Sequence, residues 1–302
     1  MMLARFFLIV FIVILQIAVI MLSKSSFAPN LFSRQNSNML ASIIHVSNPV
    51  PIPVEGFQEA PFVSAKSAIV TDAKTGKVLS EKNANFRHLA ASTTKLMTAL
   101  VVLEKCLPEN VITVGEVNTN GTQMGLASGD QVTVETLLYG MLMASGNDAA
   151  YVLAGSCADS YDTFISLMNE RARSLEMANS HFDNPAGFDS DYNFSTAADL
   201  AKLAKDAVTN PLISKIVATK TIVLADAAGI KTYYAENINK LLGEVDGVEG
   251  VKTGRTEGAG EILLTKATRS GNTIIVVVLD STDRFEDSKK LIEWVFANYK
   301  WQ

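Results

Sequence analysis

The sequence predicts an α+β fold: one antiparallel sheet assembled from both ends of the domain, with helices covering it. Three observations carry this. Strand-like runs occur only near the start and the end of the body, helical stretches fill its middle, and about 240 residues from Val63 to Gln302 pass without an internal break or repeat. Strands at both ends with helices between them do not fit a simple βαβ series, so the two strand groups are expected to meet in one sheet. In order, the runs SAIVTD (67–72) and KVLSE (77–81) flank Ala73-Lys-Thr-Gly76, whose glycine sits where a turn needs positive φ, and together they read as a hairpin. Helices are expected over 92–106, 134–144, 148–158, 161–175 and 197–208. Two further strand-like runs, 260–268 and 273–279, surround Arg269-Ser-Gly-Asn272, and an amphipathic helix is expected from about 285 to 299.

Upstream, Phe6 to Leu22 reads FFLIVFIVILQIAVIML, a run without charge in which Gln16 is the one polar residue. As an N-terminal hydrophobic helix at about 1.5 Å per residue it would span roughly 25 Å, slightly short of a hydrocarbon core of about 30 Å. It follows a short basic start at Arg5, the shape of a secretory signal or a signal anchor. Ser26-Phe27-Ala28 is the best cleavage candidate, yet Pro29 directly follows it, which favours a retained anchor in the membrane. Cleaved or retained, the segment would export the body of the chain. The expected organisation is an anchor or signal over 1–22, a Ser/Asn/Pro-rich tether over 23–62 and a single functional domain over 63–302.

Composition narrows the function classes. Among 302 residues, 26 are basic and 31 acidic, and the pI lies near 5.3, so no basic nucleic-acid footprint exists. The mean hydropathy of +0.20 owes much to the Phe6 to Leu22 run. Two cysteines exclude a disulfide scaffold and a thiolate metal cluster. Cys106 and Cys157 both fall in or beside helical stretches and are expected to be free buried thiols. With three histidines, His45, His88 and His181, none next to a nucleophile motif, neither a Ser-His-Asp triad nor a zinc peptidase is easily built. No metal and no cofactor is implied.

Three short motifs carry chemistry. Ser92-Thr-Thr-Lys95 opens a helix, and positions i and i+3 share a face, so the lysine amine can reach the serine hydroxyl. Ser145-Gly-Asn147 separates two helical stretches, and Lys252-Thr-Gly254 precedes a strand-like run. Each has a bland alternative: a serine N-cap, an interhelical connection and a turn. The chain even carries decoys, Lys74-Thr-Gly76 and Ser270-Gly-Asn272, both at the tips of expected hairpins. A serine hydroxyl needs a base, and Lys95 is the one at hand. An ordinary lysine, with a pKa of about 10.4, is neutral roughly once in 2,500 molecules at pH 7. Lys95 must therefore be desolvated or placed near another cation, for which Lys252 is the candidate.

The stretches Ala91 to Ala99 (ASTTKLMTA), Met143 to Ala150 (MASGNDAA), Asn193 to Leu200 (NFSTAADL) and Gly247 to Gly254 (GVEGVKTG) resemble the low-molecular-mass penicillin-binding proteins, the serine D-alanyl-D-alanine carboxypeptidases. The resemblance covers about 63–299 and implies the β-lactamase and DD-peptidase type of fold. It implies a peptidoglycan stem peptide ending in D-Ala-D-Ala as substrate and covalent inhibition by β-lactam antibiotics. It also assigns roles. Ser92 is the nucleophile, Lys95 its base and Ser145 the proton relay to the leaving D-Ala. The backbone N–H groups of Ser92 and Arg255 form the oxyanion hole. Asn147, Lys252, Thr253, Gly254 and Arg284 bind substrate, Arg284 suiting its carboxylate because the guanidinium fork can take both oxygens. A surface pairing of Arg284 with Asp283 or Asp287 is the alternative.

The chain also departs from the pattern. Ala186, in Asn184-Pro-Ala-Gly-Phe-Asp189, stands where some relatives have histidine, and Arg255 replaces a more usual aromatic or histidine, which bears on stem-peptide preference. Many relatives continue into a small β-rich domain and a C-terminal anchor, whereas here the anchor is expected at the amino end. Two other readings share the fold. A serine β-lactamase of class A would use a Glu-x-x-x-Asn pattern, and no glutamate between Asn147 and Lys252 has an asparagine four residues on. A catalytically silent cell-wall binding protein would lack a motif residue, and none is missing.

Overall fold

The computed structural model describes residues 49–117 and 119–302; the Phe6 to Leu22 run and the rest of 1–48 lie outside the described residues. In chain order the elements are β1 (Pro51–Pro53), β2 (Ser67–Asp72), β3 (Val78–Lys82), β4 (His88–Leu89), a 3-10 turn (Ala91–Thr93), α1 (Thr94–Lys105), β5 (Val111–Thr113), β6 (Gln131–Thr133), α2 (Val134–Leu142), α3 (Asn147–Ser156) and α4 (Tyr161–Ser174). The chain continues through β7 (Phe194–Ser195), α5 (Ala197–Ala207), α6 (Pro211–Ala218), β8 (Thr221–Ala225), β9 (Thr232–Glu236), β10 (Val248–Thr256), β11 (Gly260–Arg269), β12 (Asn272–Ser281), α7 (Arg284–Asn298) and β13 (Tyr299–Trp301).

The central sheet has the order β10-β11-β12-β2-β3 and is antiparallel throughout, with β2 from the start of the domain paired to β12 from its end. That is the two-ended sheet expected from the sequence. Because side chains alternate across a strand, the sheet feeds two cores. Ile69, Leu264, Ile275, Val277 and Leu279 pack with α1 and α5, while Val70, Leu263, Ile274, Val276 and Val278 pack with Leu291, Ile292 and Val295 of α7. Both faces being covered, β12 reads as a continuous apolar run. Helix α1 is buried over nearly its whole length, from Thr94 to Val102, and so forms the axis of the helical half. The decoy motifs sit at hairpin tips as expected, with Gly76 at φ 75° and Gly271 at φ 77°.

Three features differ from expectation. Cys106 and Cys157 are not free thiols: they form a disulfide, with Cα atoms 5.7 Å apart. Each cysteine is the C-cap of its helix, α1 and α3, and the packing of those two helices brings their ends together. The stretch 49–62, expected to be tether, folds onto the domain: β1 pairs with β13, and Phe57 meets Trp294 and Tyr299 edge to face at 5.9 and 5.6 Å. Finally, helix α6 and the β8–β9 hairpin lie between the expected elements. Helix α6 is short, but Asn210 caps it and Pro211 opens it, a start signal that was present in the sequence.

Candidate active site

Ser92 lies in the 3-10 turn that runs into α1, and two close backbone approaches fix it there. On one side the 183–189 loop passes so near that a Cβ on Gly187, itself at φ 85°, would stand 1.8 Å from the Ala91 carbonyl oxygen. On the other side β10 passes, and a Cβ on Gly254 would meet Ala91 Cβ at 3.1 Å and Ser92 N at 3.4 Å. Glycine at these two positions lets loop and strand close on the serine. The same loop is tied to α1 by Thr98 Oγ1, which donates to the Pro185 carbonyl at 2.7 Å. It is tied to β10 by Asp189, which accepts from Thr256 Oγ1 at 2.6 Å and from Gly258 N at 3.1 Å.

One helical turn after Ser92, Lys95 has no solvent exposure. Its Nζ is 3.0 Å from Ser92 Oγ, 2.8 Å from Asn147 Oδ1 and 2.5 Å from the Ala186 carbonyl oxygen. A neutral amine has two N–H bonds and one lone pair. A neutral Lys95 that spent both N–H bonds on Asn147 and Ala186 would keep its lone pair for the Ser92 hydroxyl. Burial drives the Lys95 pKa well below the ordinary lysine value; the Lys252 cation pushes the same way and Asp148 opposes it.

Ser145 and Asn147 come from the turn between α2 and α3. Ser145 is nearly buried and holds φ at 62°. Asn147 opens α3, accepts from Lys95 and donates Nδ2 to the Asn120 carbonyl at 2.7 Å. Lys252 lies on β10, buried, with Nζ 3.1 Å from the Thr253 carbonyl and a pKa lowered to about 7 by burial and by Arg284. Arg284 opens α7 and donates Nη1 to the Gly254 carbonyl at 2.8 Å, while its buried Nε has no partner among the described residues. The alternative pairing of Arg284 is not made. Asp287 instead accepts from Ser64 and Ala65, and Asp283 caps α7. The arrangement thus sets the Ser92 hydroxyl 3.0 Å from a buried amine, with Lys252 on the adjoining strand β10 and Arg284 bonded to that strand.

The model of the D-alanyl-D-alanine carboxypeptidase family matches residues 55–283. The chain belongs to that family. It is 32% identical to the D-alanyl-D-alanine carboxypeptidase DacF of Bacillus subtilis, over 91% of this chain and 68% of that one. It is 37% identical to DacC of Escherichia coli, over 83% of this chain and 66% of that one. Among solved structures, the Streptomyces K15 DD-transpeptidase superposes with a TM-score of 0.75 at 35% identity, covering 80% of this chain and 100% of that one. The two share the fold of sheet and helices seen here.

All three motifs of the sequence converge. Ser92, Lys95 and Asn147 are in direct contact, β10 brings Lys252, Thr253 and Gly254 alongside, and Arg284 reaches β10 through the Gly254 carbonyl. The Arg255 side chain follows on β10, exposed. Two participants escape a reading by residue type. The Ala186 carbonyl is a backbone acceptor, and only Gly187, its neighbour in the 183–189 loop, hinted at a close approach. Asp148, adjacent to the Ser-Gly-Asn motif, accepts four backbone N–H groups. His88 sits 2.8 Å from Ser67 Oγ, a pair reminiscent of a triad. Ser67 is fully buried and donates to the Asn83 carbonyl, so its proton is already spent.

Proposed function

We propose that this serine-type D-alanyl-D-alanine carboxypeptidase forms its acyl-enzyme on Ser92, with Lys95 as base, and acts on peptidoglycan stem peptides. The observation that carries the reading is the buried Lys95 Nζ, 3.0 Å from Ser92 Oγ, with its remaining N–H bonds taken by Asn147 and Ala186. Lys95 takes the Ser92 proton as Oγ attacks the carbonyl of the penultimate D-Ala. The backbone N–H groups of Ser92 and Arg255 receive the oxyanion, a donor of this kind contributing about 10²- to 10³-fold in rate. The proton reaches the departing D-Ala amine through Ser145. Lys252, Thr253 and Arg284 hold the terminal carboxylate. Water then hydrolyses the ester, the same base accepting its proton.

Penicillin enters by the same attack, and its adduct is expected to persist. Neither carboxylate of the 183–189 loop is free to activate a water at the ester: Asp183 bonds Asn184 and Ser190, and Asp189 bonds Thr256 and Gly258. This disfavours the β-lactamase alternative. We further propose that the domain works outside the cytoplasm, held by the Phe6 to Leu22 run. The Cys106–Cys157 disulfide supports an oxidising compartment. No helix among the described residues is long and apolar enough to cross a membrane.

The test is D-alanine release from an N-acylated peptide ending in Lys-D-Ala-D-Ala, using the full chain in detergent beside Ser92→Ala. Release by the parent alone supports the reading. Labelling by a fluorescent penicillin without release would redirect it to transpeptidation, and no labelling would favour a silent binding protein.

A further inference from the structure

The buried carboxylate of Asp148, 3% exposed, has no part in the acyl-transfer cycle. It lies in the first turn of α3, directly after Asn147. Its Oδ1 accepts from Met124 N at 2.8 Å and Ala149 N at 2.9 Å, and its Oδ2 from Gly125 N at 2.9 Å and Leu126 N at 3.1 Å. Three of these donors belong to the segment between β5 and β6, whose residues 121–123 and 125 are exposed and so gain little from burial. The segment is also fastened by Lys231 Nζ, which donates to the Gly125 carbonyl at 3.3 Å, and by Asn147 on the same turn as Asp148. Asn147 N donates to the Thr122 carbonyl at 2.8 Å and Asn147 Nδ2 to the Asn120 carbonyl at 2.7 Å. The Met124 side chain fills the space above Gly140, where a Cβ would meet its sulfur at 2.2 Å.

We propose that Asp148 is a positioning residue of acyl transfer: it latches segment 120–126 onto the Ser145–Asn147 turn and thereby fixes the Asn147 amide that aligns Lys95. The inference rests on the assignment of Ser92 as nucleophile and Lys95 as base. It follows from the chain of bonds: Asn147 Oδ1 accepts from Lys95 while its Nδ2 donates to the Asn120 carbonyl, four residues before the Met124–Leu126 amides that Asp148 holds. Asp148 has a second effect on the same base. Lys95 is faced by the Lys252 cation from β10, by the Asp148 anion from α3, and by a carbonyl from the 183–189 loop. The anion offsets the cation and preserves part of the proton affinity that a base needs. The other titratable group that feels Asp148 is Tyr233 on β9, whose hydroxyl is raised, chiefly by burial and by Asp130, and stays protonated throughout the working range.

Two substitutions separate latch from charge. Asp148→Asn keeps the shape but removes the charge and turns one acceptor into a donor that opposes a backbone N–H. Gly140→Ala displaces Met124 and leaves the charge in place. The readout is the rate of acylation of the full chain by a fluorescent penicillin, followed against pH, with folding checked by circular dichroism. Asp148→Asn is expected to lose at least about tenfold in the acylation step with little change in initial penicillin affinity. Its acidic limb should move to lower pH, because removing the anion lowers the affinity of Lys95 for its proton. Gly140→Ala should lose rate with the limb unmoved. A folded Asp148→Asn protein with the parental rate, or with an unmoved limb, overturns the proposal. Should that variant fail to fold, Gly140→Ala decides, and a parental rate there overturns it equally. Absence of labelling in the parent would instead sink the Ser92 reading, and this inference with it.

Discussion

Replacing Cys106 and Cys157 together by alanine removes the covalent closure between the C-terminal ends of α1 and α3. The bond spans a sequence separation of 51 residues. For a ring of about 52 residues, the chain-entropy relation gives roughly 14 cal/mol/K, or about 4 kcal/mol at 25 °C. That is a large share of the roughly 5–15 kcal/mol by which domains are stable. In a domain of this size each kcal/mol moves the melting midpoint by about 2–4 °C, so the double variant should melt about 8–16 °C below the parent. The parent heated with excess dithiothreitol should fall by a similar amount. The residues proposed for acyl transfer, Ser92, Lys95 and Ser145, sit at the opposite, N-terminal ends of these helices, and α1 alone is about 18 Å long. Acylation by penicillin at 25 °C should therefore stay within about twofold of the parent. Thiol alkylation of the denatured, unreduced protein should find no free cysteine. Two alkylated cysteines, or a double variant melting within about 2 °C of the parent, would refute the reasoning.

Other outcomes arise at the site itself. Lys95→Arg should abolish acylation as fully as Lys95→Ala, about 10³-fold or more, because a guanidinium cannot give up its proton at working pH; measurable labelling of the arginine variant would exclude Lys95 as base. Arg284→Gln removes a cation that holds the Lys252 pKa down, so the Lys252 titration should move above its value of about 7 and the alkaline limb of kcat/KM should move up with it. An unmoved limb would show that Lys252 is not the group titrating. Gly187→Ala should lower both stability and acylation by tenfold or more, since its Cβ would stand 1.8 Å from the Ala91 carbonyl oxygen; thermal melts and labelling rates check this together. Lys95 and Lys252 release protons at lower pH when folded than when unfolded, so the unfolded chain binds more protons between about 7 and 10. The urea midpoint should therefore rise with pH across that window, and less steeply in Lys252→Met.

What the sequence disclosed was the part written in side-chain pattern. The apolar runs of β2 and β12 declared a sheet built from both ends, and order and setting singled out Ser92, Lys95, Ser145, Asn147 and Lys252 as candidates, of which Ser92, Lys95 and Asn147 are in direct contact. Contacts made by the backbone were invisible, because residue type does not encode them: the Ala186 carbonyl on Lys95 is a case. The state of Cys106 and Cys157 depended on how two helices pack, which no local period reveals. The β8–β9 hairpin escaped because its alternating faces are only partly buried, leaving a weak signal. Residues 49–62 look like linker by composition, yet three of them pair with the last strand, a long-range partnership that Pro51 and Pro53 tolerate on an edge.

That last pairing bears on how the protein can be handled. Trimming the chain to residue 63 would strip β1 from β13 and lift Phe57 off Trp294 and Tyr299. It would also leave the Trp294 indole N–H without its acceptor, the Gln58 carbonyl. The result would be an open strand edge beside an uncovered aromatic patch, a ready template for self-association in a fragment that keeps every residue of the candidate site. A fragment retaining residues 49–62 keeps that edge closed, so its solubility and that of the shorter piece should diverge even where their chemistry does not.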